Sequence, residues 1–289
     1  MSDPIVYLNH EFMPLAEARI SPLDRGFLFA DGVYEVIPVY AGKSFRLQGH
    51  LDRLKRSLNG IRLSPPMTDA EWRQAIETLI NHNGGGELSI YLQVTRGAAP
   101  HRDHAFPDGT EPTVFMMATP RKPPEPGLLS EGVRAITLDD IRWRYCHLKT
   151  VALLPNILLR QEAVDAGCAE AILIREGLVT EGAASNVFVI HDGKLLTPPR
   201  GPLLLPGITR DLLLELAKEH GIPCRESEIT LDQLAEASEI WLTSSTREIL
   251  PVTEIDGRPV GSGEPGPIWA AMMGHYRAYT DRLRSGEVE

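Results

Sequence analysis

Cysteine is scarce in this sequence. Cys146, Cys168 and Cys224 stand far apart with no CxxC pair. That argues against a disulfide framework and a structural zinc site, and predicts small buried thiols in a reducing compartment. No apolar run approaches the roughly 20 residues that span a bilayer. The start, "MSDPIVYLNHEF", lacks a basic segment followed by an apolar one, so no secretory signal is expected and the cytoplasm is the expected location. Positive charge is short as well: net charge is −10, the pI is near 5.4, and no block of like charges occurs. These values exclude a sequence-independent nucleic-acid binder, a basic arm and an acidic tail. Neither GxxxxGK[ST] nor GxGxxG is present, so the common nucleotide-phosphate loops are missing. Internal repeats and low-complexity tracts are also absent. What remains is 289 residues, 43% apolar and 24% charged, an ordinary globular chain of one large or two medium domains.

Short apolar segments separated by turn signals fill the first forty-odd residues, with Asn9-His10 and Ala41-Gly42-Lys43 as hairpin turns. The period then changes. Leu51, Leu54, Leu58 and Ile61 recur at helical spacing, and "TDAEWRQAIETLINHN" opens with Thr68 and Glu71 in a capping-box pattern. "LSIYLQVTRG" and "PTVFMMATP" read as strands. The proline-rich "RKPPEPG", Arg121 to Gly127, reads as an extended linker, placing one domain at 1–120 and another at 128–289. The second half predicts a strand in "VRAITLDDIRW", a helix in "LLPNILLRQEAVDAG", a strand in "EAILI" and a hairpin with Asp192-Gly193 at its tip. A helix in "GITRDLLLELAKEHG" and a strand, polar loop and strand in "EIWLTSSTREILPV" follow. Hairpins mixed with helices, without regular βαβ alternation, indicate an α+β fold with mostly antiparallel sheets and flanking helices.

Lysine is rare enough for each one to be weighed. Lys43 and Lys194 fall in hairpin turns, Lys55 and Lys218 on polar helix faces, and Lys122 before two prolines; all five read as solvated charges. Lys149 alone stands at a strand-to-helix junction, between His147-Leu148 and Val151-Ala152-Leu153-Leu154. An ammonium group in apolar surroundings is costly unless it is paired, neutral or covalently used. Desolvation of such a lysine favours a nucleophile or Schiff-base former; snorkelling to the surface is the other outcome.

Three segments have the chemistry to hold a phosphorylated group. Gly207 precedes the backbone N–H groups of Ile208 and Thr209 at a helix start, a natural anion site. Ser244, Ser245 and Thr246 supply hydroxyls in a polar loop, and Arg53 in "HLDRLKRS" supplies charge. Glu181, in "VTEGAASNVFVI", opens a small-residue loop between apolar strands. A lone carboxylate there suits a protonated ring nitrogen, although hydrolases carry such glutamates too.

Taken in order, "RGFLFADGVYEV", "HLDRL", "LKT", "LLPNILLRQEA", "TEGAASN", "GITR" and "LTSSTREI" make the chain resemble the fold-type IV pyridoxal-phosphate enzymes, the class IV aminotransferases. Within them it is most similar to the D-amino acid aminotransferases. The resemblance runs from Tyr7 to Val260. It implies a two-domain fold, with Tyr34, Arg53 and a carboxylate-trap loop in the smaller N-terminal domain and the Schiff-base lysine and cofactor site in the larger C-terminal one. It implies that Lys149 bonds pyridoxal 5'-phosphate and carries the proton between substrate and cofactor, and that Glu181 binds the pyridinium nitrogen. Arg53, Ile208, Thr209 and Ser245 would hold the phosphate, with Leu205 and Ser244 completing the cofactor set. Ser245 replaces a threonine of the best-known bacterial pattern, and the hydroxyl is kept.

The resemblance also implies a substrate site. Arg102 and His104 match the R-x-H of the D-amino acid enzymes, and Tyr34 matches their third carboxylate-binding group, together a charge-assisted trap. The loop is slightly longer before Arg102, which brings in His101 as an alternative to His104. Such loops reach across a dimer interface in the family, implying a homodimer. The expected reaction is ping-pong transfer of the amino group of D-amino acids, such as D-alanine and D-glutamate, to pyruvate or 2-oxoglutarate. Rivals on the same fold are a branched-chain L-amino acid aminotransferase and a 4-amino-4-deoxychorismate lyase. A cofactor-binding protein without turnover is another. From a different class comes a metal-dependent hydrolase built on His101, Asp103 and His104, which lacks a distant third ligand motif; no metal is expected.

Overall fold

A computed structural model describes residues 3–122 and 125–288. The chain divides into two compact units, one of Met1–Lys122, Leu148–Ala152 and Arg282–Glu289, the other of Pro123–His147 and Leu153–Asp281.

The first unit opens with the hairpin of β1 (Ile5–Leu8) and β2 (Glu11–Pro14), turned by Asn9 and His10 at positive φ. A short helix α1 (Arg25–Phe29) precedes β3 (Gly32–Tyr40) and β4 (Lys43–Ser44). Then come α2 (Leu47–Gly60), α3 (Asp69–His82), β5 (Leu88–Thr95) and β6 (Thr113–Pro120). The strands form one antiparallel sheet in the order β2-β1-β6-β5-β3-β4. Its alternation is clear in β5, where Leu88, Ile90, Leu92 and Val94 join Leu51, Leu54, Leu58, Trp72, Ile76 and Leu79 of α2 and α3 in one core. The Thr68–Glu71 capping box is present, each partner satisfying the other's backbone N–H. One position breaks the apolar rule: Glu35 lies between Val33 and Ile37 on the covered face of β3, 1% exposed.

The second unit begins with α4 (Pro126–Ser130) and β7 (Val133–Asp139). The expected linker is therefore shorter than Arg121 to Gly127, because Pro126 opens a helix; Pro123 and Pro124 lie outside the described residues. Next are α5 (Leu154–Asp165), β8 (Glu170–Arg175), β9 (Leu178–Gly182), β10 (Asn186–His191) and β11 (Lys194–Thr197). They are followed by α6 (Ile208–Glu219), β12 (Cys224–Glu226), α7 (Leu231–Ala235), β13 (Glu239–Ser244), β14 (Glu248–Ile255) and β15 (Arg258–Pro259). The helix α8 (Pro267–Ser285), which no sequence signal announced, follows and has Glu239 accepting from the N–H groups of Ile268 and Trp269. The sheet order is β12-β11-β10-β13-β14-β7-β8-β9, with β15 on β14. Hairpins dominate, but β7 pairs parallel with β8, β14 with β7 and β11 with β12. The first of these pairs is a β-α-β crossover through α5. The thiols also differ from expectation: Cys146 is buried, Cys168 and Cys224 only partly so, since the latter two sit beside a turn and on an edge strand.

Candidate active site

Lys149 lies inside the β7-to-α5 crossover, in the segment Leu148–Ala152 that belongs to the first unit. Its backbone is fixed on both sides. The Tyr34 N–H donates to the Lys149 carbonyl at 2.9 Å, and the Val151 N–H to the Gly32 carbonyl at 3.1 Å. The Lys149 N–H donates to Ser57 Oγ of α2 at 3.0 Å. Gly60 admits this segment closely, because a Cβ there would collide with the Leu148 side chain. The lysine side chain is half-buried rather than enclosed, and its Nζ lies 4.2 Å from the centroid of the Tyr34 ring, a cation–π contact that offsets desolvation. Tyr34 in turn packs on Tyr91, whose hydroxyl is pushed up to about 12 by burial and by Tyr34.

Arg53 reaches from α2 to Glu35. Its Nε donates to Oε1 at 2.8 Å and its Nη2 to Oε2 at 2.6 Å. His50, one turn earlier, meets the same Oε2 through Nδ1 at 2.7 Å, and its Nε2 is buried without a hydrogen-bond partner. Burial works against the Glu35 charge, yet Arg53 and His50 bring its carboxyl down to about 2. Burial likewise pushes His50 below its ordinary value, with Glu35 opposing and Arg53 and Lys149 assisting.

Arg102 and His104 sit in the exposed loop between β5 and β6. The Arg102 guanidinium lies 4.7 Å from the Phe29 ring centroid and the His104 ring 5.2 Å from it. His101 shares neither contact, and no described contact joins Tyr34 to Arg102 or His104. The expected trap is thus two groupings within one chain: a guanidinium and an imidazole on Phe29, and a phenol under Lys149. Among the described residues, no set of three or more His, Cys, Asp or Glu side chains is placed to hold a metal.

In the second unit, Glu181 near the end of β9 is not a lone carboxylate. Its Oε1 pairs with Arg142 Nη1, while Oε2 accepts from the Leu205 N–H at 2.9 Å and from Asn186 Nδ2 at 3.3 Å. Arg142 is held by both oxygens of Asp140, at 2.9 Å each. Burial pushes the Glu181 carboxyl above the usual carboxylate range, opposed by Arg142. For Arg142 burial acts against the charge, but Asp140 and Glu181 raise its pKa above the ordinary arginine value. Sequence reading missed Arg142; the alternation of charge in "DDIRWR" was its only local sign.

Leu205 leads through Gly207 into α6. A Cβ on Gly207 would run into Asn186 Oδ1, so a side chain there would have to displace Asn186, and no side chain caps this helix. Ile208 and Thr209 are buried in the first turn, with the Thr209 hydroxyl lacking a partner. The helix packs along β13, where Thr243 Oγ1 is a second buried hydroxyl without a partner. Ser244 proves to be the last residue of β13 and accepts from the Arg247 N–H at 3.1 Å; Ser245 and Thr246 form the turn. Uncapped N–H groups, a helix dipole and an unspent hydroxyl form a donor set that suits a phosphate, and Glu181, buried and paired with Arg142, suits a cationic ring nitrogen.

Comparison with known proteins gives a consistent picture. The profile described as amino-transferase class IV matches residues 32–255. A D-alanine aminotransferase of Bacillus licheniformis is 43% identical over 91% of this chain and 92% of its own length. One from Listeria monocytogenes is 40% identical over 98% of both. Among solved structures, a T.th. branched-chain amino acid aminotransferase with pyridoxamine 5'-phosphate superposes with a TM-score of 0.91 at 28% identity, over 98% of this chain and 96% of that one.

Proposed function

The chain belongs to the class IV aminotransferases, and we propose that it moves the amino group of D-amino acids such as D-alanine and D-glutamate onto 2-oxo acids such as pyruvate and 2-oxoglutarate. One observation carries the choice of substrate. The relatives at 40–43% identity over more than nine-tenths of both chains are D-alanine aminotransferases, whereas the structural neighbour named for branched-chain amino acids is 28% identical.

The cofactor is pyridoxal 5'-phosphate. When bound, it supplies the electron sink that makes the Cα–H of an amino acid acidic. Lys149 would hold that group covalently through Nζ and, when the substrate amine replaces it, move the proton at the substrate Cα. The fixed backbone of Lys149 supports this role, because a proton carrier must return to one place. Glu181 would hold the ring nitrogen in its cationic form. Arg53, Ile208, Thr209, Ser244 and Ser245 would hold the phosphate, with the Leu205 N–H orienting Glu181. Arg102, His104 and Tyr34 would take the substrate carboxylate. As in the family the chain resembles, the first two would reach the site of a second copy, and we propose a homodimer. Exposed apolar side chains of Trp143, Tyr145, Leu154, Ile157 and Leu158 support such a contact. A particle of monomer mass by sedimentation at micromolar concentration would exclude it. No helix of the described residues is long and apolar enough to cross a membrane, and three free cysteines support residence in the cytoplasm.

The deciding experiment mixes the holoenzyme separately with D-alanine and L-leucine while its visible cofactor band is followed. Loss with D-alanine alone, reversed by 2-oxoglutarate, is expected. Loss with L-leucine alone would move the function to the branched-chain branch, and no colour after added pyridoxal phosphate would remove the cofactor.

A further inference from the structure

The loop carrying Arg102 and His104 has exposed side chains and little packing of its own, so something else must hold it. That something is a buried arginine. Arg25, 4% exposed at the first position of α1, aims its guanidinium at the loop's main chain. Nη1 donates to the Asp103 carbonyl at 2.6 Å and to the Ala105 carbonyl at 3.2 Å, and Nη2 donates to the His104 carbonyl at 3.3 Å. Three consecutive carbonyls therefore face one rigid fork. Consecutive side chains on a backbone held this way have little choice of direction, which places Arg102 and His104 on Phe29.

The fork is itself held. Arg25 Nε donates to Asp31 Oδ2 at 2.8 Å. Asp31 is shared with Arg96, whose Nε and Nη2 donate to its two oxygens at 2.8 and 3.1 Å. Arg96 is anchored further by the Ile61 carbonyl at 2.7 Å, and its guanidinium stacks 3.7 Å from the centroid of Phe106, two residues beyond His104. The stretch from the Asp103 carbonyl to Phe106, overlapping the R-x-H segment and running just past it, is thus tied to one carboxylate through two guanidinium groups.

We propose that Arg25, held by Asp31 and Arg96, is the positioning residue of the substrate-carboxylate loop and sets where Arg102 and His104 meet the substrate. This rests on the reading of that loop as the carboxylate trap. Lysine at position 25 keeps the charge but cannot span three carbonyls with a fixed fork. Displacing a binding group by about 1 Å costs up to roughly a hundredfold.

The test uses holoenzyme carrying Arg25→Lys, Asp31→Asn, Arg102→Ala, and Arg25→Lys combined with Arg102→Ala. D-alanine serves as substrate, propionate as a competitive carboxylate, and a simple alkylamine as a substrate without carboxylate. Arg25→Lys and Asp31→Asn should each raise KM for D-alanine and Ki for propionate roughly tenfold, with kcat, the visible band and the rate with alkylamine little changed. On an Arg102→Ala background, Arg25→Lys should add clearly less than it does alone. If Arg102→Ala raises KM while Arg25→Lys and Asp31→Asn do not, the clamp is wrong and the trap stands. Equal loss with D-alanine and alkylamine, or multiplicative effects in the double variant, would make Arg25 merely structural and overturn the proposal. An unchanged KM in Arg102→Ala would remove the trap and the clamp together. Should Arg25→Lys fail to fold, Asp31→Asn carries the same decision.

Discussion

The guanidinium of Arg53 and the carboxylate of Glu35 face each other edge to edge, two hydrogen bonds of 2.8 and 2.6 Å joining groups that are 3% and 1% exposed. A buried pair of this geometry fixes where the arginine points but contributes little net stability, since desolvation offsets much of the attraction. Breaking it is another matter. Glu35→Gln should destabilise the fold by about 3–5 kcal/mol and weaken pyridoxal phosphate binding more than pyridoxal binding. Denaturant melts and equilibrium dialysis measure the two; equal loss for both cofactor forms would detach Arg53 from the phosphate.

The same pair predicts an acid limb. The Glu35 carboxyl is lowered from 4.5 to about 2, so its contribution is present above about 4.5 and is lost as pH falls towards 2. Wild-type unfolding free energy should therefore drop more steeply across that window than that of Glu35→Gln, by roughly 3 kcal/mol in total. Parallel curves would show that Glu35 is not charged in the fold.

Lys149→Ala should abolish both the visible cofactor band and transamination while leaving the secondary structure intact. Absorbance, circular dichroism and turnover assays are sufficient. Normal turnover in this variant would end the assignment of Lys149.

Arg142 opposes the burial that raises the Glu181 carboxyl. In Arg142→Met that opposition is gone, and Glu181 should become protonated at higher pH than it does now. Activity should therefore fall, with the acid limb of its pH profile moved upward. An unmoved profile would exclude Glu181 as the ring-nitrogen partner.

Thr209 carries a buried hydroxyl without a partner. Thr209→Val should leave the stability of the cofactor-free protein unchanged or slightly raised, because nothing is lost by removing an unsatisfied group. Cofactor affinity should drop by about 1 kcal/mol, roughly fivefold. A stability loss with unchanged affinity would mean that the hydroxyl serves the fold and not a ligand.

Local rules carried far along the chain. Thr68 and Glu71 form their capping box because both partners lie within one turn, and Leu51, Leu54 and Leu58 face the core because the helical repeat puts them on one side. Asp192-Gly193 turns its hairpin at positive φ for the same short-range reason. The helix α8 escaped notice because glycines and prolines at Gly261, Gly263, Pro265 and Gly266 hide its start, and its cap comes from Glu239, far away in sequence.

Composition, spacing and motif order determined the α+β class, the singular lysine and the glycine-led helix start, since each depends on neighbours along the chain or on an ordered set of short segments. Only the tertiary structure decided which charges meet. Arg142 finds Glu181, Arg53 finds Glu35, and Arg25 finds the carbonyls of Asp103, His104 and Ala105. A buried charge takes whatever partner the packed backbone brings within reach, and sequence separation says nothing about that distance.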